Sequence, residues 1–195
     1  IKNTFVLICS ILLFVYSTTH SEPIDSMKQA LRKPLPDSTQ SDLYLKLCLA
    51  SQEENTDSAI HYSRMAEVAA IRAHDNFRRG KALQQRGVSY DYANQLDSCL
   101  HYLREAESIF ISTKHFDKQG AAACDIGMAY YLRGSYELGL RNYLRAYDLM
   151  KQYSEKKDVC KILNNIGLVY KARREFKNAI KYYQSSLAIK KEIKD

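Results

Sequence analysis

The sequence predicts an all-α fold, an α-solenoid of stacked antiparallel helix pairs, and two observations favour it. Apolar residues recur at helical spacing along most of the chain, and no stretch alternates for long enough to predict a strand. The chain also repeats itself every forty residues without an insertion or deletion, which is typical of stacked-repeat proteins. The residues that coincide include three glycines and three tyrosines: Gly87, Gly127, Gly167, Tyr90, Tyr130 and Tyr170.

Residues 1–21 are predicted to be a signal peptide or a short anchor. Phe5–Tyr16 is a run of twelve nearly continuous apolar residues, followed by the small polar run Ser17–Thr19. A membrane-spanning helix needs about 20 apolar residues, so the run fits the shorter core of a secretory signal better. We therefore expect the protein to be exported, and to be periplasmic or membrane-associated facing the periplasm.

After this leader, residues 22–37 are predicted to form a short helix, Ile24–Arg32, and a linker in which Pro34 and Pro36 prevent the helix from continuing. Four repeats follow, over residues 38–74, 75–114, 115–154 and 155–195. Each repeat has two helices, and the predicted helices are, in order, Ser38–Ser51, Thr56–Ala73, Phe77–Tyr92, Gln95–Ser112, Asp117–Arg133, Ser135–Tyr153, Lys157–Arg173 and Glu175–Lys191.

The first and last repeats differ from the middle two. Residues 38–74 form a divergent terminal repeat, because Leu47 and Ala50 stand where the other repeats have glycine and tyrosine. The last repeat, residues 155–195, keeps an apolar stripe to its end, whereas helical arrays usually finish with a polar capping unit. We therefore expect the array to be incomplete at Asp195 and the natural protein to continue.

The recurring glycines need a packing reason, because glycine inside a helix costs roughly 1 kcal/mol relative to alanine. Close approach of the partner helix supplies that reason. Ala179 and its equivalents in the earlier repeats are small as well, and we expect them to be the matching contacts on the second helices. The tyrosine three residues after each glycine lies on the same helix face and is expected to fill the space between units.

These residues also carry a family resemblance. Ile166-Gly167-x-x-Tyr170, followed by Ala179-x-x-x-Tyr183-x-x-Ser186, resembles the tetratricopeptide repeat, and the resemblance extends over residues 38–192. It implies a right-handed superhelix, and the forty-residue period matches the long-repeat type of the family. The departures are Arg86, which stands where the family usually has Leu or Ile, and the absence of the consensus Trp.

A looser resemblance concerns the region before the repeats. A leader, a short helix, Leu35-Pro36-Asp37, and then Asn55–Ala59 at the start of a helix are similar to the exported sensor regions of bacterial two-component regulators. In such proteins a membrane helix and an output domain follow the array. This resemblance implies that the chain is the sensor part of a signalling protein.

No pattern in the sequence predicts a catalytic site, a metal site or a cofactor. The five histidines do not form a ligand set, and no phosphate-binding glycine loop or hydrolase motif is present. Residues 151–195 hold 12 Lys/Arg and 5 Asp/Glu, but these are spread around the helices, which is typical of a solvated surface. We therefore expect no enzyme activity and no nucleic-acid binding. The membrane is expected to be contacted only through the leader or through a missing C-terminal region.

What remains is the inner face of the superhelix, which the first helix of each pair lines. A protein or peptide segment is the predicted partner in this concave groove, because aromatic, Met and amide side chains recur opposite the packing stripe, where solvation alone would favour Lys and Glu. Val88 and Leu168 also face this way, and packing between repeats is the other interpretation for them. The predicted partner-binding residues are Tyr92, Met128, Tyr131, Leu132, Lys161, Asn164 and Asn165.

Three functions stay open from the sequence. The first is a non-catalytic, exported sensor or interaction region of a bacterial signalling protein. The second is a free-standing periplasmic scaffold or adaptor, and the third is an intracellular peptide-responsive regulator.

Overall fold

The fold of residues 24–194 is entirely helical. The computed structural model describes these residues, so the predicted leader lies outside the described part of the chain. Within that part there are nine α-helices and no strand. The helices are α1 Ile24–Ala30, α2 Asp37–Ser51, α3 Thr56–Arg72, α4 Asn76–Tyr92, α5 Leu96–Ser112, α6 Phe116–Leu132, α7 Tyr136–Tyr153, α8 Lys156–Ala172 and α9 Phe176–Lys194.

Helices α2 to α9 form four antiparallel pairs, α2–α3, α4–α5, α6–α7 and α8–α9, which stack in chain order. Each second helix packs on the first helix of the next pair, and first helices also touch across neighbouring pairs, as α2 does with α4. This arrangement confirms the predicted right-handed α-solenoid. None of the described helices combines the length and apolar character needed to cross a bilayer.

Short connections join the helices and fix the angle between them. Five of the six connections from α3 to α9 contain one residue with a left-handed backbone, which turns the chain within three residues. These residues are His74, Asn94, Lys114, Gly134 and Arg174. Side chains cap the starts of α3 and α4: Asn55 accepts a hydrogen bond from the Ser58 N–H at 2.9 Å, and Asp75 accepts one from the Arg78 N–H.

The glycines allow side chains of the second helix to lie directly on the backbone of the first. A Cβ added at Gly127 would lie 2.9 Å from Cδ1 of Tyr143, a buried ring. A Cβ added at Gly167 would lie 2.6 Å from Cε1 of Tyr183. Such distances are shorter than carbon atoms tolerate, so a side chain at either position would displace the ring.

Arg86, the residue that departs from the family pattern, is buried, and its charge is paired. Its Nη1 lies 2.8 Å from Oε2 of Glu67 on α3, and its guanidinium carbon lies 5.0 Å from the ring centre of Tyr102 on α5. The arginine therefore ties three helices together at a position where an apolar side chain would only pack.

Apolar side chains on α9 are more exposed to solvent than the equivalent side chain on α7. Ile180 is 55% exposed, whereas Leu140, forty residues earlier on α7, is only 8% exposed because α8 covers it. Phe176, Leu187 and Ile193 are also exposed on α9. The apolar surface of a second helix is therefore buried by the following pair, as expected for a stacked array.

Candidate functional site

The first helices α2, α4, α6 and α8 lie side by side along one face of the array, and polar contacts join them. Each contact joins a residue of one first helix to a residue of the next first helix, 41 positions further along the chain. The side chains of these helices are therefore held in a common register. The contacts are Cys48 Sγ to Ser89 Oγ at 3.7 Å, Gln84 Nε2 donating to Asp125 Oδ2 at 2.7 Å, and Asn165 Nδ2 donating to Cys124 Sγ at 3.7 Å.

A solvent-open cavity of about 340 Å³ lies between α4 and α6 on this face. Two of its apolar lining residues are unusually exposed, since Tyr92 is 53% and Leu132 is 62% accessible to solvent. Cys99 and Leu103 of α5 also line it, and both are fully buried. The remaining lining residues are Val88 and Asp91 of α4 and Asp125 and Met128 of α6.

Asp125 is the residue in this cavity with the most unusual environment. Desolvation is the largest influence on its carboxyl group and raises its pKa from 3.8 to about 6; the negative charge of Asp91 adds to the effect, and the hydrogen bond from Gln84 opposes it. The residue as a whole is partly exposed to solvent, because it lines the open cavity. Asp91 itself is paired with Arg133 at 2.5 Å.

The predicted partner-binding residues do not form one continuous site. Tyr92, Met128 and Leu132 meet around the cavity between α4 and α6. Tyr131 does not line this cavity: its ring lies 5.8 Å from that of Tyr136 and packs against the core between the third and fourth pairs. Met128 is also partly structural, because its sulfur accepts a hydrogen bond from the Tyr143 hydroxyl at 3.5 Å.

Lys161, Asn164 and Asn165 belong to a second cavity, of about 560 Å³, between α8 and α9. This cavity is also lined by three further lysines and by apolar residues of α9. Lys161 pairs with Asp158 at 2.8 Å. The sequence therefore located side chains on the inner helices but did not separate the acidic, partly apolar cavity from the basic one.

Asp91 and Asp125 line the cavity but were not among the predicted partner-binding residues, and neither were Cys99 and Leu103. The two acidic residues lie on the predicted inner face, but Asp and Glu are common on exposed helices. The signal that could have identified Asp125 is its position in the repeat. Its equivalents are Leu45 in the divergent first repeat and the neutral amides Gln85 and Asn165 in the second and fourth, so a carboxylate there is an exception.

The residues of the repeat signature have packing roles. Tyr90 stacks on Tyr102 of the paired helix with ring centres 5.3 Å apart, and its hydroxyl accepts a hydrogen bond from Arg64 of the preceding pair. Tyr170 stacks on Tyr182 in the same way, and the Tyr130 hydroxyl accepts a hydrogen bond from Arg104. Ala179 is almost completely buried.

Within residues 24–194 no group of three His, Cys, Asp or Glu side chains is arranged to hold a metal ion. The four cysteines in this range are free thiols. Desolvation raises the pKa of Cys99 and of Cys124 to about 12, so neither is a thiolate at neutral pH.

Comparison with known proteins identifies the repeat. A family model described as the tetratricopeptide repeat matches residues 119–192. A search of curated protein sequences found no significant match.

Several solved structures share the fold at low identity. The crystal structure of BtubC (BKLC) from P. vanneervenii is 18% identical, with a TM-score of 0.69 over 85% of this chain and 68% of that one. A Rap protein complexed with competence and sporulation factor is 15% identical, with a TM-score of 0.79 over 88% and 49% of the two chains. Aspartyl phosphate phosphatase F from Bacillus subtilis is 14% identical, with a TM-score of 0.77 over 87% and 44%.

This chain thus spans about half the length of the Rap protein and somewhat less of the phosphatase. At these identities the similarity concerns the fold alone. The described chain is a tetratricopeptide-type α-solenoid, and residues 119–192 carry the sequence pattern of that family.

Proposed function

We propose that this protein is a non-catalytic binding module that takes a protein or peptide segment on the face formed by its first helices. The observation that carries the proposal is the open cavity between α4 and α6, with Tyr92 and Leu132 exposed at its rim. Large apolar side chains that converge on a cavity and stay accessible to solvent are typical of surfaces that bind a partner.

The fold supports this class of function. One protein of the same fold, Rap, has been solved as a complex with competence and sporulation factor. A superhelix of this kind offers a long inner face built on rigid helices, and the contacts between α4 and α6 hold its side chains in place before any partner arrives. A prearranged surface loses less conformational entropy on binding than a flexible one.

The cellular setting that we propose is an exported one, in which the module is the sensor or interaction region of a bacterial signalling protein. The apolar run Phe5–Tyr16 and the looser resemblance to two-component sensor regions support this setting. Mass spectrometry of the mature N-terminus tests export: a protein that keeps residues 1–16 and stays in the cytoplasm contradicts it. A reading frame that continues into a membrane helix and kinase motifs would support the signalling role, and a stop codon after Asp195 would favour a free-standing scaffold.

The binding role is tested by removing the two exposed apolar side chains. Peptides selected on the wild-type protein from a random display library are titrated against the double variant Tyr92→Ala/Leu132→Ala. Anchors in a binding surface each contribute about 1–2 kcal/mol or more, so affinity should fall at least tenfold. Both side chains are more than half exposed, so the fold should persist, which circular dichroism can check.

A matched control is His101→Ala, an exposed residue of the second helix α5. It should leave affinity unchanged. If the selected peptides bind the double variant as tightly as the wild type, and lose affinity when the basic cavity is altered by Asn164→Ala, the binding surface lies on α8 and the proposed location is wrong.

A further inference from the structure

We infer that the cavity between α4 and α6 is a subsite for a lysine or arginine side chain of the bound segment. The inference rests on the proposed function, because it specifies the chemistry of one position in a partner. It depends on three features of the cavity: a carboxylate without a cation, apolar walls, and a departure from the repeat pattern.

Asp125 has no cationic partner in the part of the chain that the structure describes. It accepts one hydrogen bond, from Gln84, although a carboxylate has room for about four. No ion pair to Asp125 occurs within the described residues 24–194. Lys118 and Lys161 line an adjoining cavity that Asp125 also borders, but they pair with Asp117 at 3.3 Å and Asp158 at 2.8 Å.

The second carboxylate at the cavity, Asp91, is already paired with a cation. Arg133 neutralises Asp91, so the two acids and one base leave one negative charge at the cavity when Asp125 is ionised. Asp125 carries this charge in a desolvated position without a cation of its own among the described residues, which is unfavourable. A ligand with a positive charge therefore gains more here than a neutral one, and an anion is repelled.

The walls suit the rest of a long basic side chain. Val88, Met128 and Leu132 are apolar, and they can pack against the methylene stem of Lys or Arg while the charged end reaches the carboxylates. Tyr92 offers a ring face for a guanidinium group. A volume of about 340 Å³ is at the lower end of the range for small-ligand sites, which fits one side chain rather than a whole cofactor.

The equivalent residues in the neighbouring repeats indicate that the fold does not need the negative charge of Asp125. The equivalent residue forty positions earlier, Gln85, accepts a hydrogen bond from Gln52 at 3.1 Å, and the one forty positions later, Asn165, donates one to Cys124. Both amides join neighbouring helix pairs, as Asp125 does through Gln84. Since an amide can make this structural contact, the carboxylate at position 125 is explained by an interaction with something outside the chain.

The test uses four pools of peptides that are acetylated at the N-terminus and amidated at the C-terminus. The central residue is fixed as arginine, lysine, citrulline or norleucine, and the flanking positions are mixtures without basic residues. Citrulline matches arginine in shape without its charge, and norleucine matches the lysine stem. Retention of each pool by immobilised wild-type protein is compared with retention by Asp125→Asn and by the control Asp97→Asn, which removes the same charge from an exposed position on α5.

The wild type and Asp97→Asn should retain the arginine and lysine pools about tenfold better than the neutral pools, as expected for a charge-assisted hydrogen bond. Asp125→Asn should lose this preference. The variant should fold, because the asparagine oxygen can still accept the hydrogen bond from Gln84.

Three results would overturn the inference. If the wild type retains the arginine and citrulline pools equally, and Tyr92→Ala/Leu132→Ala reduces both, the face binds peptides but the cationic subsite does not exist. A fifth pool, with norleucine at the centre and a free amino terminus, covers one alternative: if it is retained in place of the arginine and lysine pools, the cavity takes a terminal ammonium group. If no pool is retained by any variant, the cationic subsite and the proposed function fail together.

Discussion

Replacing Asp125 by Asn should stabilise the free protein, and the gain should grow with pH. Desolvation raises the pKa of the Asp125 carboxyl from 3.8 to about 6 in the folded protein. A shift of one pKa unit corresponds to 1.36 kcal/mol, so a shift of this size means that ionised Asp125 opposes folding by roughly 3 kcal/mol. Asparagine carries no charge and keeps an oxygen that accepts the hydrogen bond from Gln84, so the substitution removes the cost and retains the contact.

The sign of the pH dependence follows from proton binding. The folded protein holds the Asp125 proton more tightly than the unfolded chain does, so this group favours folding less as the pH rises from about 4 to 6. The stabilisation by Asp125→Asn should therefore be about 3 kcal/mol at pH 8 and about 1 kcal/mol at pH 4.5. For a chain of this length, a gain of 3 kcal/mol raises Tm by roughly 6–12 °C.

Other groups near Asp125 do not obscure this difference. Burial raises the pKa of Cys99 and Cys124 to about 12 and also raises the pKa of Tyr143, so these three stay neutral across the range. Asp91 keeps its partner Arg133 in both proteins. Its repulsion of ionised Asp125 is part of the cost that the substitution removes.

Urea unfolding followed by circular dichroism at pH 8 and pH 4.5 measures the gain for Asp125→Asn. The control Asp97→Asn removes a charge from an exposed position and should change stability by less than about 0.5 kcal/mol at either pH. A variant no more stable than the wild type at pH 8, or equally stabilised at both pH values, would refute the argument that desolvation of Asp125 costs folding free energy.

Two further predictions concern packing and thiol reactivity. Gly127→Leu should lower the free energy of unfolding by about 1–3 kcal/mol or more, because the new side chain would displace the buried ring of Tyr143. In thermal unfolding, the double variant with Tyr143→Leu should lose less stability than the two single variants lose together. Strict additivity of the two losses would rule out the contact. Cys99 should react with iodoacetamide at pH 8 about a thousandfold more slowly than a free thiol, because burial raises its pKa from 9.0 to about 12. Peptide mapping measures the labelling rate of Cys99, and fast labelling in the folded protein would contradict this prediction.

The helices could be predicted closely because the repeat applies the same constraint several times. The first helix of the third repeat was predicted over Asp117–Arg133 and is observed over Phe116–Leu132, a shift of one residue. Agreement is poorer where no repeat helps. The short helix predicted over Ile24–Arg32 ends at Ala30, because the chain leaves the helix through tighter turns before Pro34.

The site was harder to predict, since periodicity indicates a helix face but not the partner of each side chain. Tyr131 and Leu132 are adjacent on α6, yet successive helical residues point about 100° apart. Leu132 lines the cavity, whereas Tyr131 packs towards the next helix pair. The cost of the charge on Asp125 could not be inferred either, because it depends on burial and on Asp91, which lies 34 positions earlier in the chain.

The converse substitution, Asn165→Asp, separates the effect of repeat position from the effect of surroundings. Asn165 is equivalent to Asp125, but its cavity is lined by Lys157, Lys161, Lys190 and Lys191 instead of a second carboxylate. Nearby positive charge favours an ionised carboxyl group, so Asn165→Asp should cost less than about 1 kcal/mol at pH 8, mainly through the lost hydrogen bond to Cys124. Urea unfolding measures the change beside that of Asp125→Asn. A loss near 3 kcal/mol would show that any carboxylate at this repeat position is unfavourable, and the argument from the acidic surroundings of Asp125 would then be wrong.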